Sequence, residues 1–184
     1  HISQTSDGGY IASGIAFGFG AGNYDFYVVK LDSIGNIQWT KSYGGTNRDD
    51  ARHTEQTADG GYIIAGYTQS FGAGATDILL LKTDANGNIL WNKTYGGSGN
   101  DIAESVKPTS DGGYVINGYT TSFGFGSSDA YLIKTDANGN IEWTRTYGGT
   151  NAEYSNKLIT TSDGGYAIAS RAQSFGAGGL DFYL

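Results

Sequence analysis

The segment "DGGYIIAGYTQSFGAGATDILLLKTDANGNILWNKTYGG", residues 59–97, decides the fold because closely similar copies surround it on both sides. The tetrapeptide Asp-Gly-Gly-Tyr begins at Asp7, Asp59, Asp111 and Asp163, with a constant spacing of 52 residues. A strict period of this length indicates one supersecondary unit that is repeated along the chain. The 184 residues therefore divide into repeats 1–52, 53–104, 105–156 and 157–184, of which the last is incomplete.

Each repeat contains four segments with strand character, separated by turn signals. In the second repeat the predicted strands cover residues 52–57, 61–68, 77–83 and 89–95. The intervening Asp-Gly and Asn-Gly pairs tolerate the positive φ that tight hairpin turns require. The third segment, "DILLLKT", is apolar at consecutive positions, which is typical of a strand covered on both faces. No segment shows the apolar period of a helix.

Four antiparallel strands at a period near 50 residues are typical of a β-propeller blade. A single twisted sheet cannot bury both of its faces, so blades stack face to face around an axis. Trp39, Trp91 and Trp143 recur near the fourth strand and are predicted to pack between neighbouring blades. We predict an all-β protein in which residues 1–184 form about four blades of a seven- or eight-bladed propeller. A β-helix or a sandwich is the alternative, but neither requires a constant spacing.

The strings "DGGYIIAGYT" and "DILLLKTDANGNILWNKTYGG" resemble β-propeller repeats of secreted and cell-surface proteins of bacteria and archaea. The segment "KTDANGNILW" is also similar to the tryptophan-docking repeat of quinoprotein-type propellers, in which a Gly precedes the Trp by four residues. Gly35 and Trp39 have this spacing, as do Gly87 and Trp91. The resemblance covers essentially the whole chain. It implies a secreted or cell-surface location and a larger parent protein.

The last repeat lacks the segment that forms the fourth, Trp-bearing strand in the other repeats. Ring propellers often close with an N-terminal segment that supplies this strand, so we expect about two dozen such residues to precede His1 in the parent chain or to come from a partner. An arc of four blades would leave two apolar blade faces uncovered. We therefore expect these terminal faces to meet further blades or a second copy of the chain.

Composition excludes two classes of partner. The formal net charge is −7 and the isoelectric point is near 4.6, so the composition shows none of the excess of basic residues that is typical of a nucleic-acid-binding protein. No apolar stretch approaches the roughly 18 residues of a membrane span. Cysteine is absent, so the cysteine content does not indicate whether the protein works in an oxidising or a reducing compartment.

The longer connections of each repeat are expected on one face of the propeller, where binding residues usually collect. The residues predicted to bind a protein or glycan ligand are Tyr24, Asn47, Arg48, Asp49, Arg52, His53, Asn100, Asp101, Tyr154 and Arg171. The acid that recurs at Asp49, Asp101 and Glu153 either caps loop amides or belongs to a ring of acids that holds a cation. One acid per repeat does not supply the 6–8 oxygens that calcium prefers, so no metal is predicted.

A second recurring acid stands at the start of the third strand of each repeat, and a hydrogen-bonded structural role is predicted for Asp25, Asp77, Asp129 and Asp181. No Ser, Thr or Cys nucleophile lies beside a base and an orienting acid, and no cofactor motif is present. We therefore expect a non-enzymatic scaffold or binding module. One alternative is a quinoprotein-like or hydrolytic enzyme whose active site lies in the central channel, with His53, Glu55 and Arg52 among its residues. The other is a structural subunit of an extracellular assembly.

Overall fold

The computed structural model describes residues 1–176, 179 and 181–183, and within them the chain contains strands and no helix. Leu184, which the sequence places in the last strand, lies outside the described residues. The strands are β1 Ile2–Gln4, β2 Tyr10–Phe17, β3 Tyr24–Leu31, β4 Ile37–Tyr43, β5 Asp49–Gln56, β6 Tyr62–Thr68, β7 Asp77–Thr83, β8 Ile89–Tyr95, β9 Asp101–Pro108, β10 Tyr114–Thr120, β11 Asp129–Thr135, β12 Ile141–Tyr147, β13 Glu153–Thr160, β14 Tyr166–Ala172 and β15 Asp181–Tyr183. Among these residues none forms a helix long and apolar enough to cross a membrane.

The strands form four antiparallel sheets, one for each repeat, in which every strand pairs with its neighbours in the sequence. The first three sheets have four strands each, and the fourth contains β13, β14 and β15. In the second sheet β7 and β8 have the predicted bounds. Strand β5 begins at Asp49 instead of residue 52, because its pairing with β6 continues across a β-bulge to Asp49 and Thr68.

Successive sheets pack face to face through alternating side chains. Ile63 and Leu80 of the second sheet belong to a core shared with the third sheet, whereas Ile64 and Leu81 belong to a core shared with the first. A third core joins the third and fourth sheets through residues such as Val115, Leu132 and Leu158. All residues of β6 and β7 are consequently buried, as the apolar run "DILLLKT" indicates.

The repeated aromatic residues join each sheet to the next. The ring of Trp39 lies 5.7 Å from that of Tyr62, and Trp91 lies 5.8 Å from Tyr114. Trp143 and Tyr166 make the same contact at 6.0 Å. Each Trp of the fourth strand thus packs on the Tyr of the following Asp-Gly-Gly-Tyr, so the two motifs are halves of one interface.

The Asp-Gly-Gly turn is fixed by its backbone and by a buried lysine. Gly60 has a φ of 81°, and a Cβ on Gly61 would lie 2.2 Å from the Thr83 carbonyl oxygen. The Asp59 carboxylate lies 2.9 Å from Nζ of Lys82, which is almost fully buried. Burial raises the pKa of Asp59, but hydrogen bonds from Thr57 and Lys82 outweigh that effect and lower it to about 2. Lys30 with Asp7 and Lys134 with Asp111 repeat this pair.

The recurring acid at the start of the third strand closes the Phe-Gly-x-Gly loop. Asp25 and Asp77 are buried and accept hydrogen bonds from the N–H groups of Gly22 and Gly74, at 3.1 and 2.8 Å. Asp129 accepts one from the Phe125 N–H at 3.0 Å. Asp181 occupies the equivalent position as the first residue of β15. These contacts place the acids within the scaffold.

Replacing Trp91 with Ala is expected to lower the free energy of unfolding by about 2–4 kcal/mol, because the indole ring covers Tyr114 across the interface between two sheets. Urea denaturation followed by circular dichroism measures the change. Leu90→Ala is the matched control, since Leu90 is 57 % exposed and should cost well under 1 kcal/mol. Equal losses in the two variants would contradict the role assigned to Trp91.

Candidate functional site

The first strands of successive sheets lie side by side. Strand β5 contacts both β1 and β9, and β9 also contacts β13. The hydroxyl of Ser3 in β1, for example, donates to the Thr54 carbonyl in β5 at 3.3 Å. Because the repeats have equal length, equivalent residues of neighbouring repeats come close together along these four strands. The set of first strands is therefore where differences between repeats combine into one surface.

A β-bulge changes the direction of one side chain in each of three first strands. The pairing between β5 and β6 skips Arg52, and the corresponding pairings skip Glu104 in β9 and Asn156 in β13. A Cβ on Gly66, opposite the bulge, would lie 2.0 Å from the Asp50 carbonyl oxygen, so glycine is required there. Bulges often redirect side chains at functional sites.

The long-loop ends of the sheets carry a group of arginine, tyrosine and acidic side chains. We call this group the Arg–Tyr cluster: it consists of Tyr24, Arg48, Asp50, Arg52, Tyr67, Glu104, Tyr119, Tyr154 and Arg171. The guanidinium carbon of Arg48 lies 5.2 Å from the centre of the Tyr24 ring, and that of Arg52 lies 5.4 Å from the Tyr67 ring. These distances are within the range of cation–π interactions.

The same contacts continue into the third and fourth sheets. The rings of Tyr119 and Tyr154 meet edge to face at 4.9 Å, and the Arg171 guanidinium lies 5.9 Å from the Tyr154 ring. Residues from all four sheets thus form one continuous surface.

Ion pairs order the cluster without neutralising it. Asp50 lies 3.2 Å from Arg48 and 3.5 Å from Arg52, and its side chain is 9 % exposed while the two arginines are 45 % and 39 % exposed. Burial raises the pKa of Glu104, although the charges of Arg52 and Arg171 partly oppose that effect. Three of the four arginines in the sequence lie here, so three guanidinium groups face two carboxylates.

The structure gathers half of the residues predicted from the sequence to bind a ligand. Those in the cluster are Tyr24, Arg48, Arg52, Tyr154 and Arg171. Asn47 lies at its margin and links sheets: its side-chain amide donates to the Gln69 carbonyl at 2.9 Å. The Asn100 N–H similarly donates to the Thr121 hydroxyl at 2.7 Å.

Asp49 and Asp101 require a correction, because their carboxylates are fully buried and do not face a ligand. Asp49 accepts hydrogen bonds from the Gly45 N–H at 2.7 Å and from the Ser70 hydroxyl at 2.8 Å. Asp101 accepts the equivalent bond from the Gly97 N–H at 2.8 Å. These acids hold the loop between the fourth strand and the next sheet.

His53, which the sequence also predicts to bind a ligand, requires a correction as well, because it is only 3 % exposed. Its ring stacks on that of His1, the equivalent residue of the preceding repeat, with centroids 3.7 Å apart. Burial lowers the pKa of His53 to about 3, with help from the charges of Lys107 and Lys157. It is therefore neutral near pH 7.

His1, His53 and Glu55 are the described residues best placed to hold a metal ion, since their potential ligand atoms lie within 4.8 Å of one another. Neutral imidazole and carboxylate are suitable ligands for zinc and similar metals. However, the Lys107 ammonium group already pairs with the Glu55 carboxylate and would compete with a cation. The alternative interpretation as an enzyme requires His53 and Glu55 to lie beside Arg52 and Glu104. In the structure His53 and Glu55 contact His1 and Lys107, whereas Arg52 and Glu104 belong to the Arg–Tyr cluster.

The sequence interpretation missed Asp50, Tyr67 and Tyr119. The position of the two tyrosines is occupied by Ile15, Tyr67, Tyr119 and Arg171 in the successive repeats. The position of Asp50 likewise holds Ile102 in the second repeat unit and Tyr154 in the third. Variation among repeats was the available signal, because core positions of the repeat change much less.

Comparison with known proteins gives little information about the family or the function of this chain. No family model matches the chain. The chain is 26 % identical over 207 aligned residues to the "Regulatory protein FlaEY" of Caulobacter vibrioides, in an alignment that covers all of this chain and 21 % of that protein. The chain thus spans about a fifth of the length of this curated relative.

Replacing His53 with Ser, the residue at the equivalent position 105, should flatten the dependence of stability on pH. In the unsubstituted chain the pKa of His53 is about 3 in the folded state and near 6.5 in the unfolded state. Protonation of His53 therefore favours unfolding as the pH falls between these two values. Between pH 7 and pH 5 the parent should lose about 1–2 kcal/mol more than the variant. Urea denaturation at both pH values provides the measurement. An identical loss in both proteins would show that His53 is accessible to protons in the folded state.

Proposed function

We propose that the chain is an arc of a β-propeller that serves as a non-enzymatic binding module of a secreted or cell-surface protein. Its ligand is an acidic segment of a partner protein, which contacts the Arg–Tyr cluster. The observation that carries the proposal is the clustering itself. Residues that differ among repeats converge from four sheets on one partly exposed surface, whereas the residues shared by the repeats hold the sheets together.

Two observations support the propeller architecture. Successive sheets pack face to face, and their first strands lie side by side, as expected for blades whose inner strands surround an axis. One face of the first sheet packs against no other sheet among the described residues, and it carries Tyr10, Ala12, Tyr27 and Val29, all partly exposed. The equivalent residues of the second sheet, Tyr62, Ile64, Leu79 and Leu81, are buried against the first. A further blade or a second copy would bury the exposed face in the same way.

The chemistry of the cluster favours a carboxylate-bearing protein ligand. Arginine and tyrosine are the residue types that dominate the binding energy of protein interfaces. The guanidinium groups of Arg48, Arg52 and Arg171 offer paired donors that match a carboxylate. The tyrosine faces are already covered by these guanidinium groups, which leaves less free ring surface for stacking on a sugar. Within the cluster itself three guanidinium groups stand against two carboxylates, which favours an acidic over a basic segment as the ligand.

Two further points support a non-enzymatic role. The buried His53 has a pKa of about 3 and would not act as a general base near pH 7. The printed name of the Caulobacter relative describes a regulatory protein, which agrees with recognition better than with catalysis.

The cluster can be tested with arrays of acidic peptides and of glycans, probed with the labelled chain. We expect binding to peptides that combine Glu or Asp with aromatic residues, and affinity that falls as salt is added. The double variant Arg52→Gln, Arg171→Gln should bind at least about tenfold more weakly, because each lost charged hydrogen bond contributes about 1.5–3 kcal/mol.

Arg145→Gln is the matched control, since Arg145 lies over Trp143 and outside the cluster. It should bind as the parent does. Binding to glycans alone would refute the choice of a protein ligand. Peptide binding that survives the double variant would refute the assignment of the surface.

The uncovered face of the first sheet gives a separate prediction. Light scattering should show a mass that rises with concentration for the parent, and Val29→Glu should abolish the rise by placing a charge on the apolar face. Ile34→Glu is the control, because Ile34 is 83 % exposed in the turn between β3 and β4. If the unsubstituted chain stays monomeric at high concentration, this face is not covered by a second copy of the chain. Further blades would then be what covers it.

A further inference from the structure

A pocket of about 250 Å³ lies between the first and second sheets, and none of its lining residues belongs to the Arg–Tyr cluster. Phe71, Leu79, Leu81 and Ile89 form its apolar wall in the second sheet. The first sheet contributes Gly20, Ala21, Ser42, Tyr43 and Gly44, and Asn92 supplies a polar group. The pocket thus has the mixture of apolar walls and few polar groups that small-molecule sites show.

The repeat explains why this pocket exists. The position of Leu79 is occupied by Tyr27 in the first repeat and by Tyr131 in the third. The Tyr131 ring lies 5.6 Å from that of Phe123, and its hydroxyl group interacts with the Thr144 side chain. Each pocket-lining residue of the second sheet has its counterpart 52 residues later, so Tyr131 occupies the corresponding space in the next interface.

In the second sheet this aromatic contact is missing. The first repeat pairs Phe19 with Tyr27 at 5.8 Å, as the third pairs Phe123 with Tyr131. Phe71 makes no ring contact among the described residues and is 49 % exposed, because Leu79 has no ring to offer. Asn92, which replaces Thr144 at the equivalent position, makes no side-chain hydrogen bond within the part of the chain that the structure describes. An aromatic face and a polar group are therefore left open in the same pocket.

We propose that this pocket binds a small phenol-type ligand, whose ring takes the place that the tyrosine ring takes in the neighbouring interface. The ring would pack between Phe71 and the apolar wall, and its hydroxyl group would meet Asn92. An apolar cavity of about 150 Å³ already accepts benzene, so a volume of about 250 Å³ accommodates a substituted ring. Aromatic pairs prefer the offset or tilted geometry that the two tyrosines adopt against their phenylalanines.

The test uses 4-fluorophenol as the probe in a fluorine NMR titration of the intact chain. We expect saturable binding with a dissociation constant in the millimolar range. Leu79→Tyr restores the residue of the other repeats, fills the pocket, and should weaken binding at least about tenfold. Circular dichroism establishes that the variant is folded. Cyclohexanol should not compete, because it lacks the aromatic face.

The reciprocal variant Tyr131→Leu is expected to open an equivalent pocket in the next interface and to raise the number of probe molecules bound from one to two. It keeps the proposal testable if Leu79→Tyr does not fold. Equal binding by the parent and by Leu79→Tyr would overturn the proposal. It would equally be overturned by absence of binding to the parent at millimolar probe, or by full competition from cyclohexanol.

Discussion

The structure depends on the burial of both faces of each sheet against its neighbours. Ile63 and Ile64 are adjacent in sequence, and they enter two different cores. Trp91 then reaches across to Tyr114, so each repeat completes the core of the next. An insertion or deletion in a strand would shift the alternation and turn one apolar face towards the wrong neighbour. The constant alternation of side chains within the repeats follows from this requirement.

The same requirement separates the positions that must be alike from those that can differ. Residues at the sheet interfaces meet their counterparts through the same contacts in every repeat, as the Trp–Tyr pairs show. Side chains at the long-loop ends of the first and second strands meet different neighbours, so Ile15, Tyr67, Tyr119 and Arg171 can occupy one position in the second strand. Within an interface, Leu79 takes the place of a tyrosine of the other repeats, and there the consequence is an open pocket. Variation within a repeat protein therefore marks sites where packing does not dictate the residue.

Much of the fold could be predicted from the sequence, whereas the grouping of the candidate residues could not. The bounds of β7 and β8 follow from turn residues and apolar patterning, which are local. The direction of Arg52 depends on a bulge, and the bulge arises from how β5 pairs with β6 opposite Gly66. The burial of His53 depends on His1 in the preceding repeat, with which it stacks. Asp49 was predicted to reach a ligand, but its hydrogen bonds to Gly45 and Ser70 hold it inside the loop. The direction of Arg52 and the burial of His53 and Asp49 thus depend on contacts with other strands and sheets, which the local sequence does not specify.

The electrostatics of the Arg–Tyr cluster limit how tightly it can bind an acidic ligand. Asp50 already satisfies part of the hydrogen-bonding capacity of Arg48 and Arg52, and Glu104 interacts with Arg52 and Arg171. An incoming carboxylate must compete with these internal acids and lose its own hydration. The internal acids also hold the guanidinium groups in place beforehand, which reduces the entropy lost on binding. For the proposed ligand this balance would favour selective, salt-sensitive and readily reversible binding, because the cluster would return to its internal pairs when the ligand leaves.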